Sequence, residues 1–154
     1  MLWFQSHDKY LEVNRVIRRL INNFVPNRIP LKGESRWELR SNRTMPVLLV
    51  PYDNNDLSVN EVAYALTKNL SSRGLALVLH QPLRAEQVVV GLWSNAHPYF
   101  VSGKVRQMLA LGGGFWQIGV ETVELLCPKH SPELARLLPW AARLDPCVPW
   151  EPRC

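Results

Sequence analysis

The sequence has no Cys-x-x-Cys pair, no two histidines at metal-ligand spacing, no Gly-x-Ser-x-Gly elbow and no apolar run long enough to span a membrane. The missing cysteine and histidine pairs remove the usual zinc-site patterns, and His7, His80, His97 and His130 each stand alone. Ser71 lies in Asn-Leu-Ser-Ser-Arg-Gly, which is not the elbow that exposes a nucleophile above an α/β sheet. Gly112-Gly113-Gly114 lacks the Lys-Ser/Thr of a phosphate loop and reads as a turn. These absences together predict a protein that is not an enzyme and holds no metal or cofactor. Cys127, Cys147 and Cys154 are an odd set without a close pair, which predicts free thiols in a reducing cytoplasm. Met1-Leu2-Trp3-Phe4 is too short for a signal core and Asp8 and Lys9 follow it, so a cytoplasmic, soluble chain is expected.

What is present is 154 residues, 47% of them hydrophobic, enough for one domain with its own core. The formal net charge of +5 favours anionic partners without choosing among them. Val13, Val16, Ile17, Leu20, Ile21 and Phe24 recur at three- and four-residue steps, predicting an amphipathic helix over about residues 8–24 whose other face carries Arg15, Arg18 and Arg19. Pro26 ends it, and residues 25–35 read as a linker. Strands are predicted at 46–52, 61–70, 75–80, 87–93, 99–111 and 115–125, separated by turn residues, which suggests a small antiparallel barrel. Ser131-Pro132-Glu133 starts a short helix that Pro139 should kink or end, with Leu134, Leu137, Leu138 and Ala141 facing the barrel. The tail from Asp145 is proline-rich and extended. The expected divisions are 1–35, 36–126 and 127–154.

Two stretches carry the functional signal. Asn69-x-Ser71-x-x-Gly74 makes a tight polar bend leading into the apolar strand Leu75–Leu79, since Asn and Ser bond to nearby backbone and glycine accepts unusual backbone angles. Upstream, Arg36, Arg40 and Arg43 cluster just before the first predicted strand. Guanidiniums beside exposed amides and hydroxyls suit a planar anion bearing phosphates, because their forked donors pair with phosphate and their planes stack.

At these residues the chain resembles the PilZ domain, a bacterial receptor module for cyclic di-GMP whose signature is R-x-x-x-R followed by D/N-x-S-x-x-G. Gln81-Pro82-Leu83, Val88–Leu92 and Gly114–Val120 are similar to the family's later strands, so the likeness covers about residues 36–126. Arg36 and Arg40 give R-x-x-x-R literally. A second arginine close to the first strand, as in many relatives, would instead be Arg43, with Leu39 at the first position. The resemblance implies a mainly β fold, a six-stranded antiparallel barrel with an N-terminal amphipathic helix and a short C-terminal helix. It implies cyclic di-GMP as ligand, held by Arg36, Arg40, Arg43, Asn69, Ser71 and Gly74, and a downstream protein that reads the bound state. Two alternatives stand beside it: a PilZ-like interaction module that binds no nucleotide, and a basic barrel binding single-stranded nucleic acid on aromatic platforms. The last is disfavoured, since Trp93 and Trp116 fall within apolar strands suited to core packing.

Overall fold

In the computed structural model, the described residues are Val13, Arg15, 44–53, 56–71, 73–94 and 96–145. The chain runs β1 (Pro46–Asp53), β2 (Asp56–Leu57), a 3-10 turn (Val59–Glu61), β3 (Ala63–Leu70), β4 (Gly74–Leu79), β5 (Gln87–Ser94), β6 (His97–Gly112) and β7 (Phe115–Leu126). A second 3-10 turn, Pro128–His130, leads into two short helices, α1 (Pro132–Arg136) and α2 (Leu138–Ala142). Neighbouring strands pair antiparallel in the order β2-β1-β3-β4-β7-β6-β5, and β5 returns to β1. Six strands therefore close a barrel, and β2 pairs with the end of β1 outside that ring. Closure leaves the six main strands paired on both sides over much of their length, which protects edges that would otherwise seek partners.

The strands divide into two kinds by burial. Val47, Leu48, Leu49 and Val50 in β1 are all fully buried, as are Val88, Val89 and Val90 in β5. A continuous apolar run is what a strand covered on both faces requires. Val47, Leu49, Val88, Val90 and Leu92 join the barrel interior with Leu75, Leu77, Ile118 and Val120. Leu48, Val50, Val89 and Phe100 face outward into a second core made with Leu134, Leu137, Ala141 and Leu144 of the C-terminal helices. β3 and β4 alternate instead, with Leu75, Leu77 and Leu79 buried while Gly74, Ala76 and Val78 are only half-buried. The C-terminal helices thus cover the outer face of β1, β5 and β6 and touch β3 and β7 only at their ends, where the Tyr64 hydroxyl donates to the Trp140 carbonyl at 3.2 Å and Leu126 packs beside the helix core.

The expected C-terminal helix is divided in two. Ser131 caps it, its Oγ accepting from the Leu134 N–H at 3.4 Å, and Pro139 enters within the first two positions of α2, where a missing N–H costs nothing. Leu134, Leu137 and Ala141 are buried as expected, but Leu138 is among the exposed large residues because the break turns it away from the barrel. Of the expected N-terminal helix, Val13 and Arg15 are helical, Val13 buried with the barrel core and Arg15 exposed; the rest lies outside the described residues.

Tyr52, near the end of β1, has its hydroxyl pKa raised by burial and then by the Glu124 and Glu133 carboxylates. The folded state therefore holds this proton more tightly than the unfolded chain does. Its contribution is fully present below the ordinary tyrosine range, near 10, and is lost as pH rises above it. Denaturant titrations of wild type and Tyr52→Phe should show a steeper alkaline loss for wild type.

Candidate functional site

The Asn69–Gly74 bend joins β3 to β4, and a bulge decides what it displays. Thr67 pairs with Leu77 and Asn69 with Ala76, so Lys68 is the extra residue. Thr67 and Leu70 are buried, whereas Lys68 and Asn69 between them both look outward. Without the extra residue, alternation would send one of the two inward.

Ser71 closes the bend on itself. Its N–H donates to the Gly74 carbonyl at 2.9 Å, its Oγ accepts from the Gly74 N–H at 3.1 Å, and the hydroxyl also reaches the Gly74 carbonyl at 3.2 Å. With only 7% of its surface exposed, Ser71 shapes the turn, and its hydroxyl is turned away from solvent. Gly74 is not in the left-handed region; positive φ among the described glycines belongs to Gly112, Gly113 and Gly114 of the hairpin turn. A Cβ on Gly74 would lie 2.8 Å from the Val120 carbonyl oxygen, so glycine is required by the close approach of β7. Gly74→Ala must displace backbone, and should cost about 1–3 kcal/mol in denaturant unfolding.

Register extends the site beyond the motif. Asn69 pairs with Ala76, Ala76 with Gly119 and Gly119 with Gln107, and paired residues share a face. Gly74, Ala76 and Gly119 therefore form a shelf of small residues on the outer face, with the Asn69 amide at one margin, Gln107 at the other, and the Glu121 side chain opposite Gly74. Exposed Lys68, Arg73 and Arg106 surround it; Lys68 Nζ donates to Gln117 Oε1 at 3.1 Å, and Arg106 is paired with Glu121. Such a surface fits a flat ring on bare backbone with anionic groups at a basic rim. Ala76 and Gly119 carry no recognisable motif in the sequence, and only strand register reveals them.

Arg36, Arg40 and Arg43 lie outside the described residues. What is described is where their segment joins the barrel: the Met45 N–H donates to Thr67 Oγ1 at 2.9 Å, and the Thr67 N–H to the Met45 carbonyl at 2.9 Å. This double clamp fixes the chain two residues after Arg43 against β3, two residues before Asn69. The described chain therefore enters the barrel at the end of β3 that carries Asn69.

A cleft of about 420 Å3 occupies the opposite end of β3 and β4, between Tyr64, Leu79, His80 and Arg84. It shares no residue with the shelf. Among the described residues no group of three or more His, Cys, Asp or Glu side chains is placed to hold a metal, and no helix is long and apolar enough to cross a membrane. Cys127 is an exposed free thiol; Cys147 and Cys154 lie outside the described residues.

No protein-family model matches the chain, and no curated protein matches it. Among solved structures, it is similar to the inhibitor of motility MotI/DgrA of Bacillus subtilis, with 19% identity and a TM-score of 0.45 over 71% of this chain and 50% of that one. It is also similar to MrkH of K. pneumonia in its apo state, with 14% identity and a TM-score of 0.42 over 75% of this chain and 53% of that one. The chain spans about half the length of these proteins.

Proposed function

We propose that this chain is a cyclic di-GMP receptor that binds the dinucleotide on the outer face of β3, β4 and β7 and passes the bound state to a partner protein. The observation that supports it is the shelf of small residues Gly74, Ala76 and Gly119 beside Asn69, at the strand end where Met45, two residues after Arg43, is clamped to Thr67. A guanine laid on the shelf would offer its O6 and N7 edge to an arginine fork and its free face to a second guanidinium, pairing and stacking that lysine could not both supply. Asn69 would bond the ligand directly, while Ser71 and Gly74 keep the bend and the shelf in shape. Two phosphates would neutralise part of the charge of Arg36, Arg40 and Arg43 and draw that segment over the ligand, which favours a closed arrangement by differential contact. No metal or cofactor enters this reading.

Calorimetry with cyclic di-GMP, and with GMP and single-stranded DNA as controls, tests it. Selective heat with the dinucleotide is expected, and Arg40→Ala should weaken binding by at least about 1.5 kcal/mol, the scale of one charge-assisted bond. Arg36→Ala weakening binding more than Arg43→Ala would identify the literal arginine spacing, and the reverse order the strand-proximal one. A second reading, an interaction module without a nucleotide, is favoured by the structural employment of two signature residues, Ser71 in its own turn and Gly74 beneath the Val120 carbonyl. Absence of heat with cyclic di-GMP in folded protein, or equal heat with GMP, would overturn the receptor reading and favour the second.

A further inference from the structure

The row of Asn69, Ala76, Gly119 and Gln107 that crosses the shelf is bounded by a bulge on each side. In β3 the extra residue is Lys68; in β6, where Val105 pairs with Val120 and Gln107 with Gly119, it is Arg106. Bulges re-aim side chains, and each of these delivers a cation and an amide to the outer face together, Lys68 with Asn69 and Arg106 with Gln107. A Cβ on Gly119 would lie 3.7 Å from Gln107 Cβ, which puts the β6 bulge directly beside the shelf.

The two cations reach in opposite directions. Lys68 Nζ donates to Gln117, which shares a row with Leu66, Val78 and Leu109. Arg106 Nε donates to Oε2 of Glu121, in the row of Gly74, Glu121 and Lys104 on the other side of the shelf. The outer face is therefore largely apolar along one margin and charged along the other, and the charged margin is the one that holds the Asn69–Gly74 bend. Arg106 is only loosely engaged there. Its side chain is 60% exposed and that of Glu121 51%, and an ion pair so open to water contributes little to stability. The bond uses Nε alone, and neither terminal nitrogen of the guanidinium has a partner among the described residues.

We propose that Arg106 is a phosphate-binding residue of the shelf, and that in the free protein the Glu121 carboxylate occupies the guanidinium that a ligand phosphate takes over. The inference rests on the nucleotide reading given above and adds to it a residue outside the arginine and Asn69 stretches. Carboxylate and phosphate oxygens accept from the same forked donors, so one replaces the other with Arg106 still at the charged margin. The pair that is broken is solvated, which keeps the exchange inexpensive. A base laid over Ala76 and Gly119 would then have its phosphate at the Gly74 margin, within the span of the bend and the β6 bulge.

Calorimetry with cyclic di-GMP on wild type and variants tests the proposal, with denaturant unfolding as the check on the fold. Arg106→Gln should weaken binding about tenfold or more, the loss of one charge-assisted bond. Glu121→Gln should strengthen it by freeing the guanidinium, and adding Arg106→Gln to that variant should still cost about tenfold, which removes an unpaired carboxylate as the cause. Arg106→Lys keeps the charge without the fork and should recover only part of the loss. Unfolding midpoints should stay near wild type, since both side chains are exposed. Wild type that does not bind the dinucleotide overturns this inference together with the receptor reading. Wild type that binds, with Arg106→Gln binding equally well, overturns the role of Arg106 alone. Full recovery by lysine overturns the forked contact, and weaker binding by Glu121→Gln overturns the exchange, because the carboxylate would then be holding the arginine in place for the ligand. Should the Arg106 variants not fold, the Nε–H resonance of Arg106 in wild type decides: it should shift as the dinucleotide is added, and an unmoved resonance at saturation overturns the proposal.

Discussion

Gly119→Glu should weaken binding of cyclic di-GMP by about a hundredfold or more while leaving the fold nearly as stable as wild type. The two halves of this expectation come from different observations. A Cβ at Gly119 would find its nearest neighbour, Gln107 Cβ, at 3.7 Å, an ordinary contact, so the side chain has room on the outer face. The same side chain would stand in the middle of the shelf between Ala76 and Gln107, where the ligand must lie. A carboxylate within about 5 Å of a phosphate costs roughly 3 kcal/mol at the effective dielectric of a protein surface, before any steric loss is counted. Calorimetry for binding and denaturant unfolding for stability would separate the two. Undiminished affinity would place the ligand elsewhere, and the function proposed here would then lose its geometric support. Gly74→Ala is a poorer probe of the same idea, because it disturbs the β4–β7 contact and the shelf together.

Phe100→Ala should destabilise the protein by about 3–5 kcal/mol, as removal of a fully buried aromatic side chain does. Phe100 lies in β6 on the outer side of the barrel, opposite Gly91 of β5, in the core shared with Leu134, Leu137 and Ala141. A Cβ on Gly91 would come within 3.3 Å of the Phe100 ring and 2.9 Å of Leu48 Cβ, so the ring is seated on a strand kept bare to receive it. Truncation empties the space beneath the helices rather than the barrel interior. Hydrogen exchange should accordingly show α1 and α2 losing protection before the strands. A loss below about 1 kcal/mol would mean that the helices are held to the barrel by other contacts.

Local sequence was enough for most of the secondary structure, because the signals are short-range. β4 is Gly74–Leu79 where 75–80 was expected, and β7 is Phe115–Leu126 where 115–125 was expected. The stretch 61–70, which reads as helix by composition and as strand by alternation, is strand from Ala63 onward and a 3-10 turn before it. Its outer residues Tyr64 and Leu66 and its buried Ala65 and Thr67 follow the period-two pattern, and tertiary pairing on both sides outweighs helix propensity. The triple-glycine turn is where it was expected, all three residues in the left-handed region that other side chains avoid.

The sequence by itself determined the six barrel strands, the closing turns, the capped and proline-broken C-terminal helices and the polar bend at Asn69, since each depends on residues a few positions apart; it did not show β2, two residues whose pairing with the end of β1 makes them a strand. Only the tertiary structure decided which face of the barrel is open. The C-terminal helices cover β1, β5 and β6, and that choice follows from which outer side chains are apolar enough to be buried twice. It also decided what the signature residues do. Ser71 bonds within its own turn, as the local spacing suggests, whereas Gly74 answers to the Val120 carbonyl in β7, a contact that local spacing cannot express. Ala76, Gly119 and Gln107 become neighbours of Asn69 through hydrogen-bond register across four strands, and register is fixed by bulges and by burial of the opposite face, which arise only when the strands meet.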